Sequence, residues 1–561
     1  MNRSKVIFNR YFFMTSIIFC AHQTLMTGDF KNRSKDKWGL AELFNETSVS
    51  MLKTLIKEIY PGLNPTLPVE VQTGTQLSKE EKRFLLRRMP IVQENLQKYF
   101  NITQPVRIGF CCSGGGNRAM VGTLGFLTGA AKTHLFDSAL YVAGLSGSTW
   151  LISQLLFLST TSHKNRSFVD ILSEIKASYG TKLCDSSMFG IDGIYTPPLI
   201  SFDSTDDVCI EIAKRFAYEQ PMTLVNLFGA LVGDYALGLM GNDRLSEKWS
   251  RIMFEVQKGG VPLPLCASIF EKSKSNYGWF EMSPLECGSA ELGYIPVSYL
   301  GSSFYKGCLN EQHICPEYPI SFYLGMYGSA FAVTIQDIAN FQKALHRKIT
   351  ILKDQESDLI DDAAHRNILN NSFVQGLIQG TIQNLIETRN VLTYAQFPNF
   401  SKDLKTSVLS DCETLGLFDA GIAFDIPLPL LVDRPERNLD LIFLYGSFPG
   451  QKSVLQDLEK YCFYKKIPFP DISGTGHDDV AHNDMTVLND PRSVEYDLST
   501  PTYIYFPTNG IDLYAPPYIT LNFRYTPEEI DRLSEKTEHA VVSHRDEIAD
   551  ILKALAAKRY A

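Results

Sequence analysis

The 561-residue chain has no excess of basic residues, no CxxC cysteine pairs, no internal repeat and no low-complexity linker. Its 53 Lys and Arg against 62 Asp and Glu leave a formal net charge of -9, which argues against a nucleic-acid partner because phosphate backbones are bound by clustered cations. The same balance excludes a purely electrostatic membrane binder. Bilayer contact should be hydrophobic, or confined to a local basic stretch such as Lys79–Arg88. Eleven scattered cysteines fit neither a zinc site nor a thioredoxin-like motif, and the odd count favours a reducing compartment. Cys111 and Cys112 lie in an apolar run and read as buried thiols. The apolar stretch Tyr11–Ala21 is too short to span a bilayer, which takes about 20 apolar residues. With Arg3, Lys5 and Arg10 before it, residues 3–21 have the outline of a secretory signal. The expectation is a cytoplasmic protein, peripheral on membranes, with secretion or the ER lumen as the alternative.

What is present is periodic. Residues 45–60 and 77–100 carry apolar side chains at helical spacing among charges, with Pro90 expected to kink or split the second segment. Val106–Cys112 is then a short apolar run ending in Ser113-Gly114-Gly115-Gly116, followed by a small-residue-rich helical stretch from Ala119 to Ala131. Leu140–Gly144 repeats the pattern, ending in Ser146 ahead of a helix at Trp150–Phe157. Two strand–turn–helix units in succession imply an α/β domain with a central, largely parallel sheet flanked by helices. A third block holds an apolar run ending at Asp419 and a further central strand at Leu439–Tyr445. Between these blocks, residues 335–411 read as a polar, helical cap or lid. The expected organisation is a helical N-terminal extension over 1–76 and one catalytic domain over 77–561.

Gly144-Leu145-Ser146-Gly147-Ser148 sets a serine among small residues at a strand-to-helix junction, where a nucleophile needs a tight turn and nearby amides. The fifth residue is Ser rather than Gly, so the pattern fits a polar turn equally well. Three glycines at 114–116 free backbone N–H groups to converge on a negative oxygen, as in an oxyanion hole. A nucleotide loop fits poorly, since no Gly-Lys-Ser/Thr ending follows. Arg118 is placed to meet a phosphate through its guanidinium fork, or else to form a salt bridge on the helix surface. None of the ten histidines lies near Ser146 in sequence, although chain order permits a Ser146, Asp419, His477 triad. The run His477–His482 (HDDVAH) could be read as a metal site or, more simply, as a solvated polar loop. Asp425 and Asp440 read as capping or ion-pairing carboxylates.

SGGGNRAM at 113–120, GLSGSTW at 144–150 and DAGIAFDIPLPLLVDRPERNLDLI at 419–442 together resemble the signature blocks of the cytosolic phospholipase A2 (group IV) family, shared in part with fungal phospholipase B. Weaker matches at 279–288, 325–331 and 461–472 extend the resemblance from about Leu77 to the C-terminus. It implies a patatin-like topology, Ser146 as nucleophile, Asp419 as its base, Gly115 and Gly116 as oxyanion donors, Arg118 as substrate-phosphate contact and Arg437 as a second, supporting residue of that phosphate site. Asn117 replaces the family's usual apolar residue, and one extra residue near Asp433 separates Asp419 from Arg437. The layout is similar to the calcium-independent gamma-type member, because the residues before 77 do not read as a calcium-binding β-sandwich. The resemblance therefore implies phospholipid and lysophospholipid substrates, peripheral hydrophobic membrane contact, and no metal or other cofactor. A catalytically silent lipid-binding protein is the non-enzymatic alternative, which intact Ser146, Asp419, Gly115 and Arg118 argue against.

Overall fold

The computed structural model describes residues 46–185, 202–273, 276–329, 394–520 and 522–559. The segment 3–21 and residues 335–393 of the expected cap lie outside these. The chain divides into two units, one of Met1–Pro61, Ala213–Glu219 and Gln336–Leu392, the other holding the rest. In the smaller unit a helix spans Glu46–Ile59, the Tyr218 hydroxyl donates to the Tyr60 carbonyl at 2.9 Å, and Lys53 pairs with Glu219 at 2.7 Å.

The larger unit is built on an eleven-stranded sheet. Its strands are β1 (Ile108–Cys112), β2 (Ala139–Gly144), β3 (Leu263–Ser273), β4 (Asn276–Met282), β5 (Glu286–Ser289), β6 (Gly293–Pro296), β7 (Ala395–Pro398), β8 (Thr414–Asp419), β9 (Leu441–Gly446), β10 (Thr486–Leu488) and β11 (Thr502–Pro507). The order is β10-β11-β9-β1-β2-β3-β4-β5-β6, with β8 pairing β3 and β7. The middle run β11-β9-β1-β2-β3 is parallel throughout. Strands β11, β9, β1 and β2 are buried along their length and so read as continuous apolar runs, while β3 is buried except at its last three residues. The outer strands and β8 pair antiparallel. The α/β expectation holds.

Helix α1 (Lys79–Phe100) starts at an Ser78 cap and buries Phe84, Val92, Leu96 and Phe100 on one stripe. Pro90 does not split it: the residue sits on the exposed side of one continuous helix. Arg88 is buried, donating to the carbonyls of Ala139, Gly259 and Asp137. Arg88 is thus withdrawn from the basic stretch 79–88, whereas Lys79, Lys82, Arg83 and Arg87 stay exposed. Helices α2 (Gly116–Lys132) and α3 (Gly147–Thr160) cover the centre of the sheet and are wholly or almost wholly buried. Small residues in α2 let α7 (Pro527–Ser543) lie directly on it. A Cβ on Gly125 would stand 1.9 Å from the Ser534 carbonyl oxygen, so the small-residue pattern serves close helix packing. Among the other described helices are α4 (Phe168–Asp185), α5 (Leu224–Ala236), α6 (Ile320–Tyr327) and the C-terminal α8 (Arg545–Arg559). Residues 394–411 correct the cap expectation where they are described. They form β7 and turns, since Ala395–Pro398 finds a partner in Thr414–Leu417 of β8. Asp440 is an ion-pairing carboxylate as expected, bonded to Arg559 at 2.9 Å and to the Arg107 amide at 2.8 Å. Cys111 and Cys112 are buried free thiols, pushed up in pKa by burial.

Candidate active site

Three loops leave the carboxyl ends of β1, β2 and β9 side by side, because Cys112 pairs in register with both Gly144 and Tyr445. After β2 the chain turns at once into α3. The Leu145 amide donates to the Cys112 carbonyl at 3.1 Å, and Ser146 takes φ 51 and ψ -126, a left-handed conformation that costs energy for a residue with a side chain. Gly147 then presses on the glycine turn of the neighbouring unit: an added Cβ would lie 1.8 Å from the Gly116 carbonyl oxygen. Gly116 itself has φ 59 and faces the Thr520 carbonyl, 2.6 Å from where a Cβ would stand. Neither α2 nor α3 has a side-chain cap, at Gly115 or at Ser146. Two helix N-termini, with their first-turn amides and positive dipole ends, thus meet at Gly116 and Gly147.

The third component arrives from far along the chain. Asp419 ends β8, which runs antiparallel to β3 beyond the point where β2 leaves the sheet. The Ser146 hydroxyl donates directly to Asp419 Oδ2 at 3.1 Å across 273 residues of sequence, while Asp419 Oδ1 accepts from the Gly421 amide at 2.8 Å. Asp419 is fully buried and Ser146 nearly so. A layer of hydroxyls fixes the glycine turn. Ser148 Oγ donates to the Ser113 carbonyl at 2.5 Å, the Ser447 amide to Ser113 Oγ at 2.7 Å, and Ser447 Oγ to the Gly114 carbonyl. Sequence reading missed Ser447, which is recognisable only once β9 is known to lie beside β1.

Arg118, in the first turn of α2, is buried and donates from Nη1 to the carbonyls of Leu513 and Tyr518 at 3.0 and 3.1 Å. Its Nη2 lies 2.9 Å from the position of a Cβ on Gly115, and its Nε has no protein partner. Burial lowers its pKa, with only tyrosines nearby to oppose the loss of solvent. It is not the surface salt bridge that the sequence allowed. Asn117 is buried and satisfied, giving to the Phe523 carbonyl and taking from the Tyr235 hydroxyl, each at 3.0 Å. This accounts for an amide where the family pattern has an apolar side chain.

Arg437 is a correction. Its guanidinium is fully buried and bonded to Glu81 at 2.9 Å and to both oxygens of Glu281 at 2.9 Å, with Leu430 taking a further bond. Glu281 stands opposite Ala267 on β3, next to the partner of Asp419, so its side chain leaves the sheet on the other face. Arg437 therefore belongs to an ion cluster with Arg434, Glu81, Glu281 and Glu286 rather than to the Ser146 face. The three carboxylates lie close enough to hold a cation, and the two guanidinium groups fill that role. Burial alone would raise Glu81, and Arg437 with Arg434 more than offsets it. Three carboxylates share two cations, and burial pushes Glu286 up from 4.5 to about 7. A carboxyl raised on folding stabilises below its unfolded value and loses that contribution as pH rises through the folded one. Thermal stability should therefore decline as pH rises from about 5 to about 8, and Glu286→Gln should flatten that decline. An unchanged pH dependence in the variant would place the titration elsewhere. The side chains of residues 477–479 lie outside the described atoms, and with them the triad and metal readings of HDDVAH.

Comparison with known proteins agrees with this geometry. Residues 108–452 match the lysophospholipase catalytic domain family. Human cytosolic phospholipase A2 zeta is 26% identical over 85% of this chain and 61% of its own length. Mouse cytosolic phospholipase A2 epsilon is 26% identical over 86% and 60%. The chain thus spans about three fifths of the curated relatives it matches. The solved structure of human GIVD cytosolic phospholipase A2 superposes with a TM-score of 0.66 over 88% of this chain and 69% of that one, at 20% identity. With more than half of its length matched by one catalytic-domain family and that family's fold beneath it, the chain belongs to the cytosolic phospholipase A2 family.

Proposed function

We propose that the protein is a calcium-independent serine phospholipase A2 and lysophospholipase, acting through a Ser146–Asp419 dyad and an acyl-enzyme. The observation that carries the reading is the direct bond from Ser146 Oγ to Asp419 Oδ2. In a triad an imidazole would stand between these groups, and at 3.1 Å there is no room for one. Asp419 removes the serine proton as Oγ attacks the ester carbonyl, then passes it to the departing lysolipid or glycerol hydroxyl. Gly115 and Gly116 supply the amides for the oxyanion, at the head of an uncapped helix whose dipole favours negative charge. Water, or a second lipid hydroxyl in transacylation, completes the cycle. The protein acts from the cytoplasm on membrane surfaces through apolar contact. Among the described residues no helix is long and apolar enough to cross a membrane.

Arg118 selects the substrate class. Its buried charge lies beside Gly115 with no carboxylate among the groups acting on it, and a lipid phosphate would compensate it through charge-assisted bonds. Lysophosphatidylcholine, phosphatidylcholine and a neutral monoacylglycerol ester, each incubated with chelator and analysed by mass, test both claims. Arg118→Ala should lower kcat/KM for lysophosphatidylcholine by about ten- to a hundredfold, and for the neutral ester by under about threefold, with Arg118→Lys between. Equal losses on both would make Arg118 a support for the 513–518 loop alone. Loss of turnover to chelator would refute calcium independence.

A further inference from the structure

Deacylation demands a water held against the acyl-enzyme, and the dyad alone offers that water one partner. On β3, Ser268 stands directly opposite Asp419 in the antiparallel ladder. Opposed residues in such a pair share a face of the sheet, with Cβ atoms about 4.5–5.5 Å apart. Next but one along β3, Cys266 is the register partner of Gly144, so Ser268 lies where β2 would continue had the chain not turned away into Ser146. Ser268 is fully buried, and its Oγ makes no hydrogen bond to another protein group. Orphaned hydroxyls in protein interiors are rare and call for an explanation. Nothing in the acylation step uses this one.

We propose that Ser268 is a positioning residue for the second half-reaction, accepting a hydrogen bond from the water that cleaves the acyl-enzyme. The inference rests on the Ser146–Asp419 reading. In the acyl-enzyme Ser146 Oγ is esterified and no longer donates to Asp419 Oδ2. The incoming water gives one hydrogen to that oxygen and the other to Ser268 Oγ, which leaves an oxygen lone pair for the acyl carbon. Asp419 takes the first proton as the new carbon–oxygen bond forms. The tetrahedral adduct collapses by breaking its bond to Ser146 Oγ, which recovers the proton from Asp419, and the fatty acid departs. An alcohol acceptor has a single hydroxyl hydrogen, which Asp419 takes, so it gives Ser268 nothing to hold. Ser268 therefore favours hydrolysis over acyl transfer.

The test is the product ratio from lysophosphatidylcholine in the presence of 1-butanol, with fatty acid and butyl ester quantified by mass. Ser268→Ala should raise the ester-to-acid ratio about tenfold, chiefly by lowering acid, as expected for one lost hydrogen bond in a transition state. Ser268→Thr keeps the hydroxyl and should keep the wild-type ratio. With a p-nitrophenyl ester, Ser268→Ala should keep its first-turnover release of nitrophenolate within about twofold while the steady-state rate falls. An unchanged ratio in Ser268→Ala, a threonine variant that behaves like alanine, or equal losses in burst and steady state would overturn the assignment. Ser146→Ala is assayed alongside. Turnover in that variant would sink the dyad itself, whereas its inactivity together with an unmoved Ser268→Ala ratio would remove this inference alone.

Discussion

Asp419→Asn should cut turnover by about a thousandfold or more while leaving the protein folded. The amide has the size of the carboxylate and can still accept from the Gly421 amide, which holds Oδ1 at 2.8 Å. What it cannot do is take the proton of Ser146, because an NH2 group replaces the oxygen that the hydroxyl now meets. Ser146→Ala should lose as much, and the double variant little more, since nucleophile and base act as one unit. Thermal unfolding of each variant, measured beside acyl release from lysophosphatidylcholine, separates lost chemistry from lost structure. Turnover of Asp419→Asn within about tenfold of wild type would mean that another group is the base. His477→Ala supplies the converse test: it should keep most of its activity, and a loss equal to that of Ser146→Ala would restore the triad.

The two strand–turn–helix units were legible because their chemistry is local. A buried parallel strand is an apolar run, and the turns at Gly114–Gly116 and at Ser146 need small residues where one backbone presses on another. Asp419 could be placed only through the resemblance of its block, since nothing local tells that β8 runs antiparallel to β3 and ends beside Ser146. The same blindness hid Ser268, one hydroxyl within an apolar strand. The ion cluster failed for another reason. Glu81 lies in a charged helical stretch, and Glu281 and Glu286 lie in the 279–288 block, where the sequence offered a weak resemblance and no strand. Their burial depends on α1, β4, β5 and the 434–437 turn coming together. Arg437 could have been read better: it precedes a parallel strand, whereas the site gathers at strand carboxyl ends.

Arg437→Met should therefore lower stability by about 3–5 kcal/mol, the usual result of removing one member of a buried ion network. The change removes one bond from each oxygen of Glu281 and of Glu81, leaving Glu281 Oε1 with Arg434 and its Oε2 with no bond from either arginine. Arg434 alone is then left against three buried carboxyls, of which Glu286 is already pushed up to about 7. The stability loss should shrink at low pH, where protonation of the stranded carboxyls relieves their charge. Double replacement of Arg437 and Glu281 by apolar residues should recover part of it, since an unpaired buried charge costs more than an absent pair. Substrate handling supplies the decisive contrast. On the fraction that remains folded, the ratio of kcat/KM for lysophosphatidylcholine to that for a neutral ester should stay at the wild-type value, whereas Arg118→Ala should shift it. A variant of normal thermal stability with a selectively raised KM for lysophosphatidylcholine would return Arg437 to the substrate phosphate. That result would require the 434–437 turn to leave its place against Glu81 and Glu281.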